Sequence, residues 1–284
     1  MNPTLVDFHC HSTASDGSLE PSELVRLAHK QGVKIMALTD HDSLNGLTEA
    51  QQEALSLGLT WVNGIEISAK VEVGHLHLLG YGFDLTNKAL ISGLALLQEA
   101  RAGRGLKMME RLSDLNLPVE LSDLELLPGA SLGRPHLAQA MIKKGYVQDF
   151  EEAFYKYLGR KGPAFVDKEV LDPAQAIGLI REAGGIAVVA HPVSLKMGRA
   201  QLFEYLQTLK TLGLEGVEAY NSSHSANQCN RISKMALELD LFITGGSDFH
   251  GLSKPRVKMG RLQNNRKILS KWISSDLFDR LGIN

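Results

Sequence analysis

The sequence has few cysteines and lacks any hydrophobic run long enough to cross a membrane. Its two cysteines, Cys10 and Cys229, show no CxxC spacing, which excludes a disulfide framework and fits a reducing compartment. The longest apolar runs, such as residues 186–190, fall far short of the roughly 20 residues that a spanning helix needs. No secretory signal pattern precedes the first strand-like segment. We therefore expect a cytoplasmic protein that does not bind a membrane.

The chain also lacks an excess of charge of either sign. Lys and Arg number 30 against 32 Asp and Glu, which gives a formal net charge of −2. Non-specific binding to duplex nucleic acid or to an anionic membrane is therefore not expected. A length of 284 residues with 44% hydrophobic residues excludes disordered, collagen-like and coiled-coil chains and suits one large α/β domain or two small ones.

Short apolar segments of strand length alternate with segments of helical periodicity along most of the chain. We predict strands at residues 4–8, 34–38, 60–67, 75–81, 186–190, 214–220 and 241–244. We predict helices between them at residues 21–30, 47–57, 173–183, 201–212 and 226–239. Because strands and helices mostly alternate, the order favours an α/β fold with seven parallel strands in a barrel.

One stretch breaks this alternation. Residues 88–167 contain predicted helices at 90–115, 135–144 and 150–158 and no strong strand. We interpret this stretch as an inserted helical subdomain that caps the substrate. The barrel core is then discontinuous and consists of residues 1–87 and 168–284.

Every predicted strand ends in, or close to, a side chain that can bind a metal ion. These residues are Asp7, His9, His11, Asp40, His41, Glu66, His77, His191, Asn221, His224, Asp248 and His250. The carboxyl ends of parallel strands meet at one mouth of a barrel, where active sites of such barrels lie. In His9-Cys10-His11, period-two alternation puts both imidazoles on one side of the chain, where they can bind one ion. Mixed carboxylate and imidazole ligands suit Mn²⁺, Zn²⁺ and Fe²⁺.

Five short motifs carry a resemblance to a known family. They are Asp7-Phe8-His9-Cys10-His11-Ser12, Thr39-Asp40-His41-Asp42, Gly64-Ile65-Glu66, Ala190-His191-Pro192 and Ser247-Asp248-Phe249-His250. In this order they resemble the PHP family, which is named after polymerase and histidinol phosphatase. The resemblance implies a distorted seven-stranded (β/α)7 barrel that holds a trinuclear metal centre.

The resemblance also implies how the ligands are shared among three divalent ions, for which Mn²⁺ is favoured and Zn²⁺ or Fe²⁺ are alternatives. The first ion takes His9, His11, Glu66 and Asp248, the second takes Glu66, His77 and His191, and the third takes Asp16, His41 and His250. Glu66 then bridges two ions. We expect Asp7 and Asp40 to orient ligand imidazoles, because a metal-bound His commonly donates its other N–H to a carboxylate.

Two further runs, Ser12-Thr13-Ala14-Ser15-Asp16-Gly17 and Gly133-Arg134-Pro135-His136-Leu137-Ala138, resemble a branch of the family with nucleoside 3′,5′-bisphosphate phosphatases and 5′-acting oligoribonucleases. The leading hypothesis is a phosphomonoesterase that removes the 3′-phosphate from compounds such as 3′-phosphoadenosine 5′-phosphate. A hydroxide that bridges two metals would attack phosphorus in line. Asp40 and His224 are the catalytic candidates, and His224 is either the proton donor to the leaving group or a surface or substrate-contact residue.

A second phosphate on the substrate requires basic groups beyond the metals. The insertion supplies Arg101, Arg104, Arg134, Arg160 and Lys161, and Arg is suited to bidentate phosphate binding. Arg134 ranks first because it lies in the Gly-Arg-Pro-His run, Arg101 comes next and Lys161 last. Pro135 predicts a helix start, where His136 and free backbone N–H groups can face an anion.

Two alternatives to the bisphosphate phosphatase stay open. The same metals and the same phosphate pocket would serve a phosphodiesterase that trims short 5′-phosphorylated oligoribonucleotides from the 5′ end. A non-enzymatic, metal-bearing module that binds nucleic acid or a protein partner is the other, although the intact ligand set and the lack of a basic stripe argue against it. We therefore expect a nucleotide as the partner. The native metal, the base preference and the oligomeric state stay open.

Overall fold

The computed structural model describes residues 3–124, 132–167 and 170–283, and only the backbone of residues 101 and 102. Its strands are β1 (Leu5–Asp7), β2 (Val33–Leu38), β3 (Thr60–Ala69), β4 (Leu76–Tyr81), β5 (Ile186–Val189), β6 (Gly216–Asn221) and β7 (Phe242–Gly246). Its α-helices are α1 (Pro21–Lys30), α2 (Leu47–Ser56), α3 (Lys88–Asp114), α4 (Arg134–Lys143), α5 (Phe150–Ala153), α6 (Pro173–Glu182), α7 (Arg199–Thr211), α8 (Ala226–Glu238) and α9 (Ser275–Arg280). Each predicted strand and helix is present, with ends that differ by a few residues.

The strands follow one another across the sheet in sequence order, and the sheet is nearly closed into a barrel. Backbone hydrogen bonds join its two ends, where the N–H of Phe8 donates to the carbonyl of Gly245 at 3.1 Å. Gly246 permits this close approach, because a Cβ on that residue would lie 2.2 Å from the Cβ of His9. The predicted α/β class and distorted seven-stranded barrel are thus confirmed.

The prediction that the strands are all parallel is wrong for β4. This strand pairs antiparallel with both β3 and β5, whereas the other neighbouring strands pair in parallel. Only the residues between Ala69 and Leu76 connect β3 to β4, and so short a connection allows a hairpin but no parallel crossover. As a result, β4 brings its first residues, rather than its last, to the mouth of the barrel.

Two clusters of buried apolar side chains lie on opposite faces of the sheet. The larger one packs strands against flanking helices and includes Leu24 of α1 and Ile65 of β3. The other includes Val62 of β3 together with Phe8 and Tyr81, and the Tyr81 hydroxyl donates to the carbonyl of Phe8 at 2.8 Å. Side chains alternate between faces along a strand, so β3 contributes to both clusters.

The second half of α3 has a hydrophobic core of its own with α4 and α5. Met108 and Leu112 of α3 pack there with Leu137 and Met141 of α4. The first half of α3 instead packs into the barrel core through Leu90, Leu94 and Leu97. This long helix therefore connects the two cores, and the limits predicted for the insertion, residues 88–167, stay a prediction. None of the helices in the described residues is both long and apolar enough to cross a membrane.

Candidate metal centre

Glu66 lies at the centre of a cluster of imidazoles at the mouth of the barrel. Its carboxylate is buried, and each oxygen faces different rings. Oε1 lies 2.8 Å from His77 Nδ1 and 3.0 Å from His191 Nε2. Oε2 lies 3.1 to 3.2 Å from nitrogen atoms of His9, His11 and His41. The carboxylate of Glu66 therefore connects residues that the sequence assigned to all three ion sites.

The structure brings together the four residues predicted for the first ion. One donor atom each from His9, His11, Glu66 and Asp248 lies within 4.8 Å of the others. Asp248 Oδ1 is 3.5 Å from His9 Nε2 and 3.4 Å from His11 Nε2. Donor atoms converging at this separation from four buried or half-buried side chains can hold one divalent ion.

The residues predicted for the third ion also converge. Asp16, His41 and His250 form a group of donor atoms that His11 joins. Asp16 Oδ1 lies 3.4 Å from His250 Nε2, and Asp16 Oδ2 lies 4.0 Å from His41 Nε2. The loop after His11 thus folds back over the mouth and brings Asp16 to the residues with which the resemblance grouped it.

The residues predicted for the second ion meet at Glu66 with one addition. His41 groups with Glu66 and His77 as possible ligands of one ion. The predicted ligand His191 contacts the same carboxylate oxygen as His77. His41 is therefore placed between two candidate sites, which the sequence pattern did not indicate.

Strand periodicity explains why these side chains point to one place. Glu66 of β3 is four residues from Val62, and His77 of β4 is two residues from Leu79, so each lies on the same face of its strand as a member of the smaller cluster, inside the barrel. His9 and His11 follow β1, whereas the intervening Cys10 is buried on the opposite side and donates its thiol to the carbonyl of Ala37. The alternation predicted for the His-Cys-His run is what the structure contains.

Burial and charge together make this cluster suited to cations. Burial opposes ionisation of Glu66, but the surrounding imidazoles outweigh it and hold the pKa of the carboxyl well below its usual value. Burial likewise opposes ionisation of Asp16 and Asp248, but neighbouring imidazoles for Asp16, and Lys254 with imidazoles for Asp248, lower these pKa values well below the usual value. For His11, the nearby carboxylates of Asp248 and Glu66 outweigh the effect of burial and raise the pKa to about 9. Ionised carboxylates in a buried site attract positive charge.

Two buried atoms test whether metal ions fit here. Glu66 Oε2 and His41 Nδ1 are inaccessible to solvent and form no hydrogen bond. A buried polar atom without a hydrogen bond is costly in a folded protein, unless an ion or water completes its environment. Both atoms belong to donor groups of the composition that divalent ions prefer. The residues present therefore fit a metal centre.

Asp7 and Asp40 are buried beside the centre and accept hydrogen bonds from serine and backbone groups, so their role in orienting the imidazoles stays a prediction. Asp7 accepts hydrogen bonds from the backbone N–H groups of Ser247 and Gly260 and thereby ties β1 to the segment before Asp248. Asp40 accepts from the hydroxyl groups of Ser12 and Ser15, at 2.6 and 2.5 Å. Both carboxylates therefore fix segments that carry candidate ligands, and Ser15 Oγ, which donates to Asp40, lies 3.4 Å from His11 Nδ1.

Two residues beside the ligands were not predicted. Glu218 of β6 accepts a hydrogen bond from His9, with 3.0 Å between Oε1 and Nδ1. Lys254 lies 2.6 Å from the second oxygen of Asp248, between Nζ and Oδ2. A carboxylate in the middle of the apolar strand β6 was an available signal for Glu218. No local pattern marks Lys254, whose contact depends on the loop after His250.

A cavity of about 490 Å³ extends from the metal centre to the inserted helices. Its wall contains Asp16, His41 and His77 of the candidate metal centre, here called the metal end. It also contains the basic residues Lys70, His75, Arg104, Arg134 and Arg160 with the aromatic rings of Phe154 and Phe165, here called the basic end. One cavity therefore offers a metal-binding end and a positively charged end.

The predicted substrate-binding residues divide into two groups. Arg134 and Arg104 line the cavity, as predicted, and Arg160 lines it as well. Lys161 is exposed and is not among the described residues of the wall. His136 instead caps its own helix, because its Nδ1 accepts the N–H of Gly133 at 3.0 Å. The side chain of Arg101 lies outside the part of the chain that the structure describes.

The position of His224 does not support its predicted catalytic role. Its ring is only 1% exposed, and its Nδ1 lies 3.0 Å from the carbonyl oxygen of Ala219. It is also not among the described residues that line the cavity. The turn after β6 folds the ring inward, and its role as proton donor stays a prediction.

Comparison with known proteins decides the family. The model of the PHP domain matches residues 7–186 of this chain. The chain belongs to the PHP family. Its relatives include a 5′-3′ exoribonuclease of Haemophilus influenzae, 35% identical over 86% of this chain and 89% of that protein. A 3′,5′-nucleoside bisphosphate phosphatase of Chromobacterium violaceum is 32% identical over 86% of this chain and 87% of that protein.

A solved structure agrees with this assignment. A Bifidobacterium adolescentis protein described as a metal-dependent phosphoesterase superposes with a TM-score of 0.86 and 30% identity, covering 97% of this chain and 96% of the other. Together with the carboxylate and imidazole cluster, these relatives identify the PHP chain as a metal-dependent hydrolase of phosphate esters.

Proposed function

We propose that this PHP protein removes the 3′-phosphate from nucleoside 3′,5′-bisphosphates such as 3′-phosphoadenosine 5′-phosphate. The observation that carries the proposal is the single cavity that joins the metal centre to Arg104, Arg134 and Arg160. A substrate with two phosphates matches both ends, because one phosphate can lie at the metals while the arginines bind the other. A volume of about 490 Å³ is within the range of pockets that enclose small molecules.

We also propose that the centre holds three divalent ions, with Mn²⁺ as the first candidate. His9, His11, Glu66 and Asp248 would hold the first, Glu66, His77 and His191 the second, and Asp16, His41 and His250 the third. When bound, such ions polarise the phosphoryl group and lower the pKa of water, which supplies a nucleophile near neutral pH. The protein contributes by holding the ligands in fixed positions and by binding the distant phosphate.

Contacts with aromatic rings hold the arginines in place for this second task. The guanidinium carbon of Arg134 lies 5.3 Å from the centre of the Phe154 ring and 5.7 Å from that of Phe165. Arg104 lies 5.5 Å from the centre of the Phe165 ring, and its Nε donates to the carbonyl of Val166 at 2.7 Å. Side chains already ordered in the cavity wall lose less conformational entropy when they bind a phosphate.

The experiment compares phosphate release from 3′-phosphoadenosine 5′-phosphate, 3′-AMP and 5′-AMP by Mn²⁺-loaded protein whose bound metal has been counted. We expect rapid release from the bisphosphate, slower release from 3′-AMP, which lacks the second phosphate, and little from 5′-AMP. Equal rates of phosphate release from 3′-phosphoadenosine 5′-phosphate and 3′-AMP would show that the basic end does not bind the second phosphate. No release from the bisphosphate by protein that contains its metals would refute the proposal.

A second candidate is 5′-3′ cleavage of short 5′-phosphorylated oligoribonucleotides. It is favoured by the 35% identity to the Haemophilus influenzae exoribonuclease, and it would use the same two ends of the cavity. Product analysis on a 5′-phosphorylated diadenylate separates the candidates. Release of AMP from this substrate, at a rate above that of phosphate release from the bisphosphate, would favour the exoribonuclease.

A further inference from the structure

Glu218 is a fully buried carboxylate that belongs to none of the three candidate groups of metal ligands. It lies in β6 between Val217 and Ala219, whose side chains pack into the larger apolar cluster, between the strands and the flanking helices. Its own side chain therefore points to the inside of the barrel. A buried carboxylate requires close partners to offset the loss of its hydration, and those partners indicate what it does.

Each oxygen of Glu218 contacts a residue of the candidate metal centre. Oε1 lies 3.0 Å from His9 Nδ1. Oε2 accepts the backbone N–H of His191 at 2.7 Å and the amide of Asn221 at 2.9 Å. His9 belongs to the group of donor atoms for the first ion, and His191 contacts Glu66 on the side of the second. One carboxylate thus connects two parts of the centre.

We propose that Glu218 is a positioning residue that fixes the tautomer of His9 and the backbone of His191, and so sets metal affinity at both sites. The inference rests on the metal centre of the proposed function. A carboxylate that faces an imidazole nitrogen accepts its N–H, so a His9 ring that binds an ion through Nε2 carries its proton on Nδ1, toward Glu218. The lone pair of Nε2 then faces Glu66 and Asp248, at 3.2 and 3.5 Å, where an ion would bind.

The backbone of His191 gives Glu218 its second task. His191 has φ of 25° and ψ of 62°, in a region that residues with a side chain seldom adopt. His191 also precedes Pro192, and the proline ring disfavours helical backbone angles in the residue before it. The bond of its N–H to Glu218 holds this conformation, which keeps His191 Nε2 at 3.0 Å from Glu66 Oε1.

The substitution Glu218→Gln tests the proposal because it keeps the size of the side chain. A neutral amide has one acceptor atom and one donor group. It therefore cannot accept one hydrogen bond from His9 and another from the His191 N–H through two different atoms, as the carboxylate does. If its oxygen keeps the His191 contact, its NH₂ group faces His9 Nδ1 and favours the tautomer with a proton on Nε2. Metal binding by His9 is then blocked.

The measurement is the affinity and number of Mn²⁺ ions bound by wild type, Glu218→Gln and the control Glu215→Gln. Glu215 precedes the same strand and pairs with Arg280 at the surface, at 3.2 Å. We expect Mn²⁺ binding to weaken about 10- to 100-fold in Glu218→Gln and to be unchanged in Glu215→Gln. Unfolding curves of the metal-free proteins establish that both variants fold.

Equal Mn²⁺ affinity in wild type and folded Glu218→Gln would overturn the role of Glu218 but leave the proposed function intact. Failure of wild type to bind divalent ions would instead refute the metal centre itself. A second measurement needs no variant: nitrogen NMR of histidine-labelled, zinc-loaded wild type reports which ring nitrogen carries the proton. A proton on Nδ1 of His9 supports the proposal, and a proton on Nε2 overturns it.

Discussion

The two ends of the cavity are built in different ways. The metal end takes its side chains from strands and strand ends of the barrel, where Glu66, His9 and His11 are buried and fixed by neighbours. The basic end takes Arg134 from α4 and Arg104 from α3, and these side chains rest on aromatic rings. A rigid sheet places ligand atoms to within a few tenths of an ångström, as metal ions require, whereas binding of a phosphate by long side chains tolerates larger displacements.

This comparison predicts the largest effect for removal of the metals. Treatment with a chelator should abolish phosphate release on every substrate, and returned Mn²⁺ should restore it. Because ions bind the folded state and rarely the unfolded one, saturation to about 100 times the dissociation constant should add about 2.7 kcal/mol to the free energy of unfolding. Calorimetry with and without Mn²⁺ measures this. Full activity in protein shown to contain no metal would contradict the assignment of the metal end as a metal-binding site.

The next effect concerns the central carboxylate. Glu66→Gln removes the charge that faces all three groups of ligands, so activity should fall by more than the roughly 100-fold typical of residues around a metal site. Bound Mn²⁺ should fall with it. Glu72→Gln, at an exposed position after β3, is the matched control and should behave as wild type. A Glu66→Gln protein with full metal content and activity would show that the centre lies elsewhere.

At the basic end we expect an effect on binding rather than on chemistry. Arg134→Ala removes charge-assisted hydrogen bonds worth about 1.5 to 3 kcal/mol, which corresponds to about a 10- to 100-fold rise in KM for the bisphosphate. KM for 3′-AMP should change little. Lys107→Ala, at an exposed position of α3, controls for the loss of a positive charge. Equal changes of KM on both substrates would show that Arg134 does not bind the distant phosphate.

The smallest effect is expected at the aromatic support. Phe165→Leu keeps an apolar side chain but removes the ring beneath Arg104 and Arg134. Loss of a cation–π contact of about 0.5 to 1 kcal/mol should raise KM for the bisphosphate about two- to fivefold. Tyr155→Leu, at a ring that is 85% exposed, is the control. A change in kcat without a change in KM would place Phe165 nearer the reacting phosphate than the structure does.

Much of the metal end could be predicted because its residues obey local rules. The His9-Cys10-His11 spacing follows from strand alternation, and the carboxyl ends of parallel strands converge by topology. The basic end was harder to predict. Arg134 was recognised in its motif, whereas Lys70 and His75 line the cavity only because a short hairpin turns β4 back. His136 caps its own helix through Nδ1, a tertiary detail that the motif did not indicate, and its contact with an anion stays a prediction.

The sequence by itself determined which residue types form the centre, the order of strands and helices, and membership of the family. These follow from periodicity and motifs within short stretches of the chain. The tertiary structure decided the reversed direction of β4, the contacts of Glu218 and Lys254, and the inward turn of His224. The contacts of Glu218 with His9 and His191 join residues far apart in the sequence. The direction of β4 and the positions of His224 and Lys254 depend on short connecting loops, whose conformation is set by packing against the rest of the barrel.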